Sequence, residues 1–174
     1  GSVDKIIARL KAQHDLFWEG KRIEKAKKLG LTTNEVYTLA SIVEEETNAD
    51  ADKGKIASVY LNRIKKGMKL EADPTVKYAL RKFELKRVLH VHLAFSSPYN
   101  TYLNKGLPPG PICTPSINTI DAVLNAPTTD FLFFVAKPEL NGYSNFSADY
   151  ATHLSNAKLY QQALDRLYNV QREQ

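Results

Sequence analysis

The chain lacks most of the features that would settle its class at a glance. Among 174 residues there is one cysteine, Cys113, so no intrachain disulfide can form. An isolated thiol reads as a small buried or loop residue rather than a nucleophile. No stretch approaches the roughly 20 apolar residues that cross a bilayer, and no signal sequence stands at the start. The opening Gly1-Ser2 reads as a tag remnant, so the chain is expected to be an excised piece from which an export signal or anchor has been removed. A strong excess of one charge is missing as well. The net charge is +5, of which residues 1–30 carry +4 and residues 31–174 only +1. A nucleic-acid enzyme would lay a basic stripe across its working face. Here the excess lies in the first 30 residues, where it reads as a solvated helical face or as an attraction to an anionic envelope or membrane surface. No nucleic-acid partner is expected.

What is present fits a folded globular chain. Hydrophobic residues make up 43% and charged residues 25%, and the length suits one domain, or one domain with a small helical extension. Residues 3–29 read as one or two helices, with Ile6, Ile7, Leu10 and Phe17 at helical spacing and Gly30 as a left-handed stop. This stretch, residues 1–30, is read as a helical segment or linker from an upstream domain, and residues 31–174 as the working domain. Thr32 and Glu35 form a capping box, and Leu31 with Val36 a hydrophobic staple, at the start of a helix expected to run to about Thr47 and to bury Val36, Leu39, Ala40 and Val43. Asp50 is expected to cap a second helix that turns Ile56, Val59, Tyr60 and Ile64 inward and ends at Gly67.

Beyond Gly67 the pattern loosens. Asp73-Pro74-Thr75 predicts a bend, and Val76 to Leu89 is expected to hold short helices. Residues 96–116 read as a loop; Gly106 to Pro115 holds four of the eight prolines, which excludes a helix interior or a central strand. Thr114-Pro115 is expected to cap a helix ending before Pro127. Phe131 to Ala136 reads as a buried strand, and a turn with Pro138 and Asn141-Gly142 leads to a second strand over Tyr143 to Ala148. A last helix, about 149–171, places Tyr150, Leu154, Ala157, Tyr160, Leu164 and Leu167 on one side. The expected class is α+β: a helix-rich domain with a small antiparallel sheet or hairpin near the C-terminal end.

Val43-Glu44-Glu45-Glu46-Thr47 sets three carboxylates at the end of the capped helix. At about 100° per residue they face different surroundings. Glu45 points away from the buried line, Glu44 lies beside Tyr37, Ala40 and Ser41, and Glu46 lies beside Leu39 and Ile42. A carboxyl flanked by aliphatic groups loses hydration when ionised, so its pKa rises, and the negative end of the helix dipole pushes the same way. Glycoside cleavage requires such an acid, still protonated near neutral pH. Glu46 is the best-placed candidate. The helix by itself leaves a solvated acidic run open as the alternative.

Leu39-Ala40-Ser41-Ile42-Val43-Glu44-Glu45-Glu46-Thr47 resembles the A-S-I-V-E-x-E-T signature of the MltG (YceG-like) endolytic murein transglycosylase family. Further segments follow in the same order: Ile56 to Arg63, Met68-Lys69-Leu70 with Asp73-Pro74-Thr75-Val76, Ser97 to Tyr102, Gly106 to Ile112, Phe133 to Ala136, and Phe146 with His153. Together they cover roughly residues 31–165. The chain departs from the pattern at Thr114-Pro115-Ser116, at Glu71-Ala72 and in a short stretch between Tyr78 and Ser96. The resemblance implies an enzyme at the extracytoplasmic face of the bacterial plasma membrane, held by an N-terminal anchor outside this chain and working on nascent peptidoglycan beside the cell-wall synthases. It implies cleavage of the MurNAc-β-1,4-GlcNAc bond to leave a 1,6-anhydro end, without a cofactor, and it maps the catalytic acid onto Glu46.

Against that background other residues become candidates for holding sugar. Tyr99, Asn100 and Tyr102 offer flat and polar side chains from an irregular loop. Asn62 is a candidate to orient Glu46 or the sugar, or else a helix-surface residue. His153 would line the cleft or bond the hairpin. Asp73 would be the second carboxylate of a lysozyme-like hydrolase, or simply part of a proline-anchored bend. Arg63 reads as half of a structural salt bridge. His90-Val91-His92 has the spacing of two metal ligands on a strand, but no third ligand is near, and no metal is expected. Two rival functions stay open: a muramidase using Glu46 and Asp73, and a non-catalytic wall-binding or scaffold domain.

Overall fold

A computed structural model describes residues 1–82, 84–85 and 88–173. The chain forms helices α1 (Ser2–Trp18), α2 (Lys21–Leu29), α3 (Thr33–Glu46), α4 (Asp50–Lys65), α5 (Asp73–Leu80), α6 (His90–Leu93) and α7 (Ile117–Leu124). Strands β1 (Phe133–Ala136) and β2 (Ser144–Ser147) follow, and then α8 (Tyr150–Arg172). The strands pair antiparallel, Phe133 opposite Ser147 and Ala136 opposite Ser144. The class is α+β, helix-rich, with its two-stranded sheet near the C-terminal end. No helix among the described residues is long and apolar enough to cross a membrane.

Helix α3 is the axis of the core. Its entry is fixed by the capping box, Glu35 N donating to Thr32 Oγ1 (3.1 Å) and Thr32 N to Glu35 Oε1 (3.0 Å). From Val36 to Val43 only Tyr37 keeps appreciable exposure, because α2, α4, α5 and α7 all pack around it. Trp18 and Ala26 belong to the same core, and Arg22 reaches from α2 to Asp121 on α7 with two hydrogen bonds, 3.0 and 3.1 Å. The second and third elements of the chain are therefore joined through one continuous interior, across residue 30. The first turns of α1 are exposed at Val3, Ile6, Ile7 and Leu10.

Several boundaries move from their expected places. Asp50 is the first residue of α4 rather than its cap; Ala49 stands at the cap, its N–H donating to Thr47 Oγ1 (2.9 Å), while Asp50 pairs with Lys53 inside the first turn. Helix α7 is capped by Ser116, which accepts from Thr119 N at 3.2 Å, one residue past Thr114-Pro115. The His90–His92 segment is one helical turn, not a strand; His92 Nδ1 accepts from Leu89 N, and no group of metal-ligating side chains occurs among the described residues. The short helices expected between Val76 and Leu89 are represented by α5 as far as Leu80, while residues 83, 86 and 87 lie outside the described residues. Strand β1 is half-buried along its length instead of buried, since a two-stranded sheet has too little width to be covered on both faces. Helix α8 packs on both strands, but at 23 residues it is far longer than either, so of its side chains only Ala163 is buried and Leu154 and Leu167 stay exposed.

The Pro-rich loop is pinned to α3 by a buried serine. Ser41 Oγ donates to Thr38 O (2.6 Å) and accepts from Ile112 N (3.0 Å), while the Cys113 thiol reaches Ser41 O at 3.3 Å. Burial, with Glu45 close by, pushes that thiol up to about 12, which removes it as a nucleophile. Replacing Ser41 by Ala would strand the buried Ile112 N–H. We expect a loss of about 1–3 kcal/mol, read as a lower urea midpoint with an unchanged slope.

Candidate active site

The last residue of α3, Glu46, is delivered to its position by the buried turns before it. Tyr60 lies on the inward face of α4, 2% exposed, and its hydroxyl donates to Glu46 Oε1 at 2.5 Å. Burial is the largest influence on the Glu46 carboxyl and drives its pKa from 4.5 to about 7. The Tyr60 hydrogen bond opposes that rise, the charge of Asp73 adds to it, and Lys77 pulls it down. Burial and the neighbouring Glu46 together push the Tyr60 phenol far up, so it stays a donor across the neutral range.

The three consecutive glutamates have separate fates. Glu45 is exposed. Glu44 accepts from the Thr119 hydroxyl and from Ser116 N (3.2 Å) and lies 3.5 Å from Lys53 Nζ. Burial works to raise its pKa, but these hydrogen bonds and the lysine charge overcome it and leave the group below its ordinary value. Glu44 therefore anchors α3 to α7 as an anion, while Glu46 is held as an acid.

A cleft of about 250 Å³ opens over Glu46. Val59, Tyr60 and Arg63 of α4 wall one side, and Phe133 and Phe134 of β1 another. Asp73 and Tyr102 close it from the start of α5 and the loop before the Pro-rich segment, and His153 of α8 completes the rim. The Tyr102 hydroxyl donates to Asp73 Oδ1. Both residues are positioned by a buried threonine pair: Thr75 Oγ1 and Thr101 Oγ1 lie 2.8 Å apart, and Thr101 Oγ1 accepts from Ala72 N at 2.9 Å. Burial lifts the Tyr102 phenol as well, and Asp73 adds to the rise. The His153 ring stacks on Phe133 with centroids 5.0 Å apart, and burial and then the Arg63 charge lower its pKa.

Of the residues singled out from the sequence, Glu46, Asp73, Tyr102 and His153 are brought together. The other three are not. Asn62 donates to Thr129 O (3.0 Å) and Phe131 O (2.9 Å), fastening α4 to the approach of β1 outside this cleft. Asn100 is fully buried and donates to Leu93 O and Phe95 O, so its amide builds the loop. Tyr99 packs against Tyr78 and the core. Arg63 is chiefly a backbone clamp: its Nε donates to Leu132 O at 2.7 Å and its Nη1 to Lys69 O at 3.0 Å, with Glu71 farther off at 3.7 Å and the guanidinium over the Phe133 ring.

Sequence reasoning passed over Tyr60 and Phe133 as ordinary interior residues. A signal for Tyr60 did exist. A tyrosine on the inward face of a helix must find a partner for its hydroxyl, and the acidic end of α3 was the nearest supply.

Fold and cleft together define a helix-rich α+β domain whose cleft gathers Glu46, Glu71 and Asp73, with the Glu46 carboxyl raised toward neutral pH, a class suited to proton transfer on a neutral oxygen. Comparison with known proteins makes the assignment specific: residues 1–159 match the YceG-like family, and the chain belongs to it. It is 43% identical over 136 residues to an endolytic murein transglycosylase of Bacillus subtilis (strain 168), covering 78% of this chain and 37% of that protein. A protein of the same name from Streptococcus pneumoniae (strain ATCC BAA-255 / R6) is 33% identical over 138 residues, 77% of this chain and 24% of that one. The crystal structure of a yceG-like protein from Listeria monocytogenes superposes with a TM-score of 0.75 at 34% identity, over 87% of this chain and 48% of that one. The chain thus spans less than half the length of each of these relatives.

Holding Glu46 as an acid has a thermodynamic signature. Between pH 4.5 and about 7 the folded protein keeps a proton that the unfolded chain releases, so this group's contribution to stability falls as pH rises through that window. Glu46→Gln should melt at a higher temperature than the parent at pH 8, and the difference should vanish near pH 4.5, checked by thermal melts across the range.

Proposed function

We propose that this chain is the catalytic portion of an endolytic murein transglycosylase, cutting the MurNAc-β-1,4-GlcNAc bond of peptidoglycan strands with Glu46 as its acid and base. The observation that carries the reading is the Glu46 carboxyl, raised to about 7 by burial in a polar cleft. The shared family and the printed names of the relatives supply the substrate class. The same reading places the reaction at the extracytoplasmic face of the plasma membrane, next to the synthases that extrude new strands, with tethering supplied by an N-terminal anchor outside this chain.

Tyr60 occupies Oε1 by donating to it, which leaves Oε2 to carry the acidic proton. That proton goes to the departing GlcNAc oxygen as the bond to the muramyl anomeric carbon breaks. The muramyl 6-hydroxyl then attacks the same carbon, and its proton passes to the Glu46 carboxylate, restoring the acid and closing the 1,6-anhydro ring. No water is consumed, and one group serves both halves. A pKa near 7 suits a group that must give a proton up and then recover it.

Asp73 supports a second reading. It lines the same cleft, and a hydrolase needs a second carboxylate to direct water or to form a glycosyl intermediate. Product chemistry separates the two. Uncrosslinked glycan strands incubated with the protein should yield anhydro-muramyl ends by mass spectrometry; reducing muramyl ends would establish the muramidase. Glu46→Gln should lower turnover by about 10²–10⁴-fold, and equal turnover by the two proteins would remove Glu46 from the mechanism.

The pH profile offers an independent check. Glycosidic cleavage requires protonated Glu46, so activity should be lost as pH rises through about 7. Tyr60→Phe removes a hydrogen bond that favours the ionised form, so the alkaline limb should move to higher pH. An unmoved limb would show that the Tyr60 contact does not tune the acid.

A further inference from the structure

An acid that cuts a glycan in mid-strand has a sugar on each side of the bond it breaks. The cleft between Glu46 and Phe133, about 250 Å³, lies to one side of that acid. The neighbouring ring needs a surface on the other side. A second cleft, of about 360 Å³, also includes Glu46 but leads over the α3–α4 turn, at Thr47, Asn48 and Ala49, to the hairpin tip at Asn141, Gly142 and Tyr143. The first cleft uses the later turns of α4 and the start of β1; the second uses the entry to α4 and the tip beyond the end of β1. Glu46 stands where they meet.

We infer that this second cleft is a glycan subsite, holding the N-acetylhexosamine on the far side of the scissile bond with the Tyr143 ring as its stacking platform. The inference rests on the glycan-cleaving reading of Glu46. Three features fit it to a sugar. Tyr143 is 43% exposed at the hairpin tip, offering a flat apolar face to a pyranose C–H face. Asn48 and Asn141 add amide groups of the kind that pair with hydroxyl and acetamido groups. Gly142 carries no side chain between them and sits at φ +87°, with open space where a Cβ would be.

The tip is also held in place. Ser144 N donates at 2.8 Å to Asp52, a buried carboxylate in the first turns of α4. Lys137 N donates to Tyr143 O (2.8 Å), and Tyr143 N to Asn141 Oδ1 (3.2 Å). The hairpin is thereby registered against the α3–α4 turn, so the platform stands at a set position relative to Glu46. Asn48, Asn141 and Tyr143 are all exposed, so the cleft is open to solvent and leaves room for a strand to run on past it.

The test uses the Glu46→Gln protein, which should hold strands without cutting them. Its affinity for uncrosslinked glycan strands is measured by titration calorimetry and compared with Glu46→Gln/Tyr143→Ala and Glu46→Gln/Tyr143→Phe. We expect Tyr143→Ala to weaken binding by about three- to tenfold and Tyr143→Phe to stay within about twofold of the parent, since stacking needs the ring and not the hydroxyl. In the otherwise unaltered protein, Tyr143→Ala should raise KM by a similar factor while kcat changes little. Equal affinity of the alanine variant and its parent, at an unchanged melting temperature, would overturn the subsite and leave the role of Glu46 standing. If the Glu46→Gln parent binds no strands and the unaltered protein cuts none, the glycan-cleaving reading itself falls, and the subsite with it.

Discussion

The structure turns on one contact, the Tyr60 hydroxyl donating to the half-buried Glu46 carboxyl. An ionised carboxylate in that position would lose its hydration for a single hydrogen bond, so the group is held near neutrality as an acid. Such an arrangement survives only if the two helices cannot move apart and let water in. The requirement is met by the helix that carries Glu46. Its inward residues are fully buried, Ser41 bonds the Pro-rich loop over it, and Glu44, two residues before the acid, is gripped by Thr119 and Lys53. Glu44 and Glu46 are thus complementary: the first stays charged and fixes the backbone that positions the second.

A second group of contacts sets the charge around that acid. The Thr75–Thr101 pair joins the start of α5 to the loop that carries Tyr102, and so brings Asp73 and its tyrosine partner to the same rim. Asp73 raises the Glu46 pKa and Lys77, one turn later on α5, lowers it. One short helix therefore supplies both corrections. The proline of the Asp73-Pro74 step starts α5 at a fixed point, and the left-handed backbone at Glu71, φ +51°, turns the chain sharply enough to reach it. A segment that reads as a plain bend in sequence is thus part of the electrostatic control of the acid.

The parts of this architecture legible in sequence are those set by local physics. Thr32 and Glu35 announce the start of α3 because a capping box closes within four residues. Gly30, at φ +71°, marks the end of α2 because few other residues adopt that conformation. The angular spacing along α3 separates Glu45, in water, from Glu46, against the core, since helix geometry alone fixes both directions. The role of Tyr60 depends on how α4 crosses α3, and that of Phe133 on a strand some 70 residues from Arg63. Neither crossing is encoded in a short window. The position of α8 was readable, but not its exposure, because its periodic apolar side faces a hairpin too short to cover it.

The misplaced asparagines follow a rule of their own. Residues 94–116 contain no helix or strand, so the carbonyls along that stretch have no regular ladder to receive them, and side-chain amides meet several. Asn100 meets Leu93 and Phe95, and Asn104 meets Ser97 and Asn100. Asn62 does the same for Thr129 and Phe131, where the chain runs extended before β1 begins. An amide is well suited to this work, since it donates twice without charge and costs less to bury than an ion. The backbone therefore claims most of the amides nearest the site before any ligand can. Left facing the first cleft are mainly groups a backbone carbonyl has no use for: the carboxylates Glu46, Glu71 and Asp73, which cannot donate when ionised, and the rings of Phe133 and Phe134, whose faces make no hydrogen-bond ladder. At the second cleft Asn48 and Asn141 stay exposed, where no irregular loop folds over them. In a domain that frames its cleft with irregular loops, polarity alone does not mark which side chains reach the cleft.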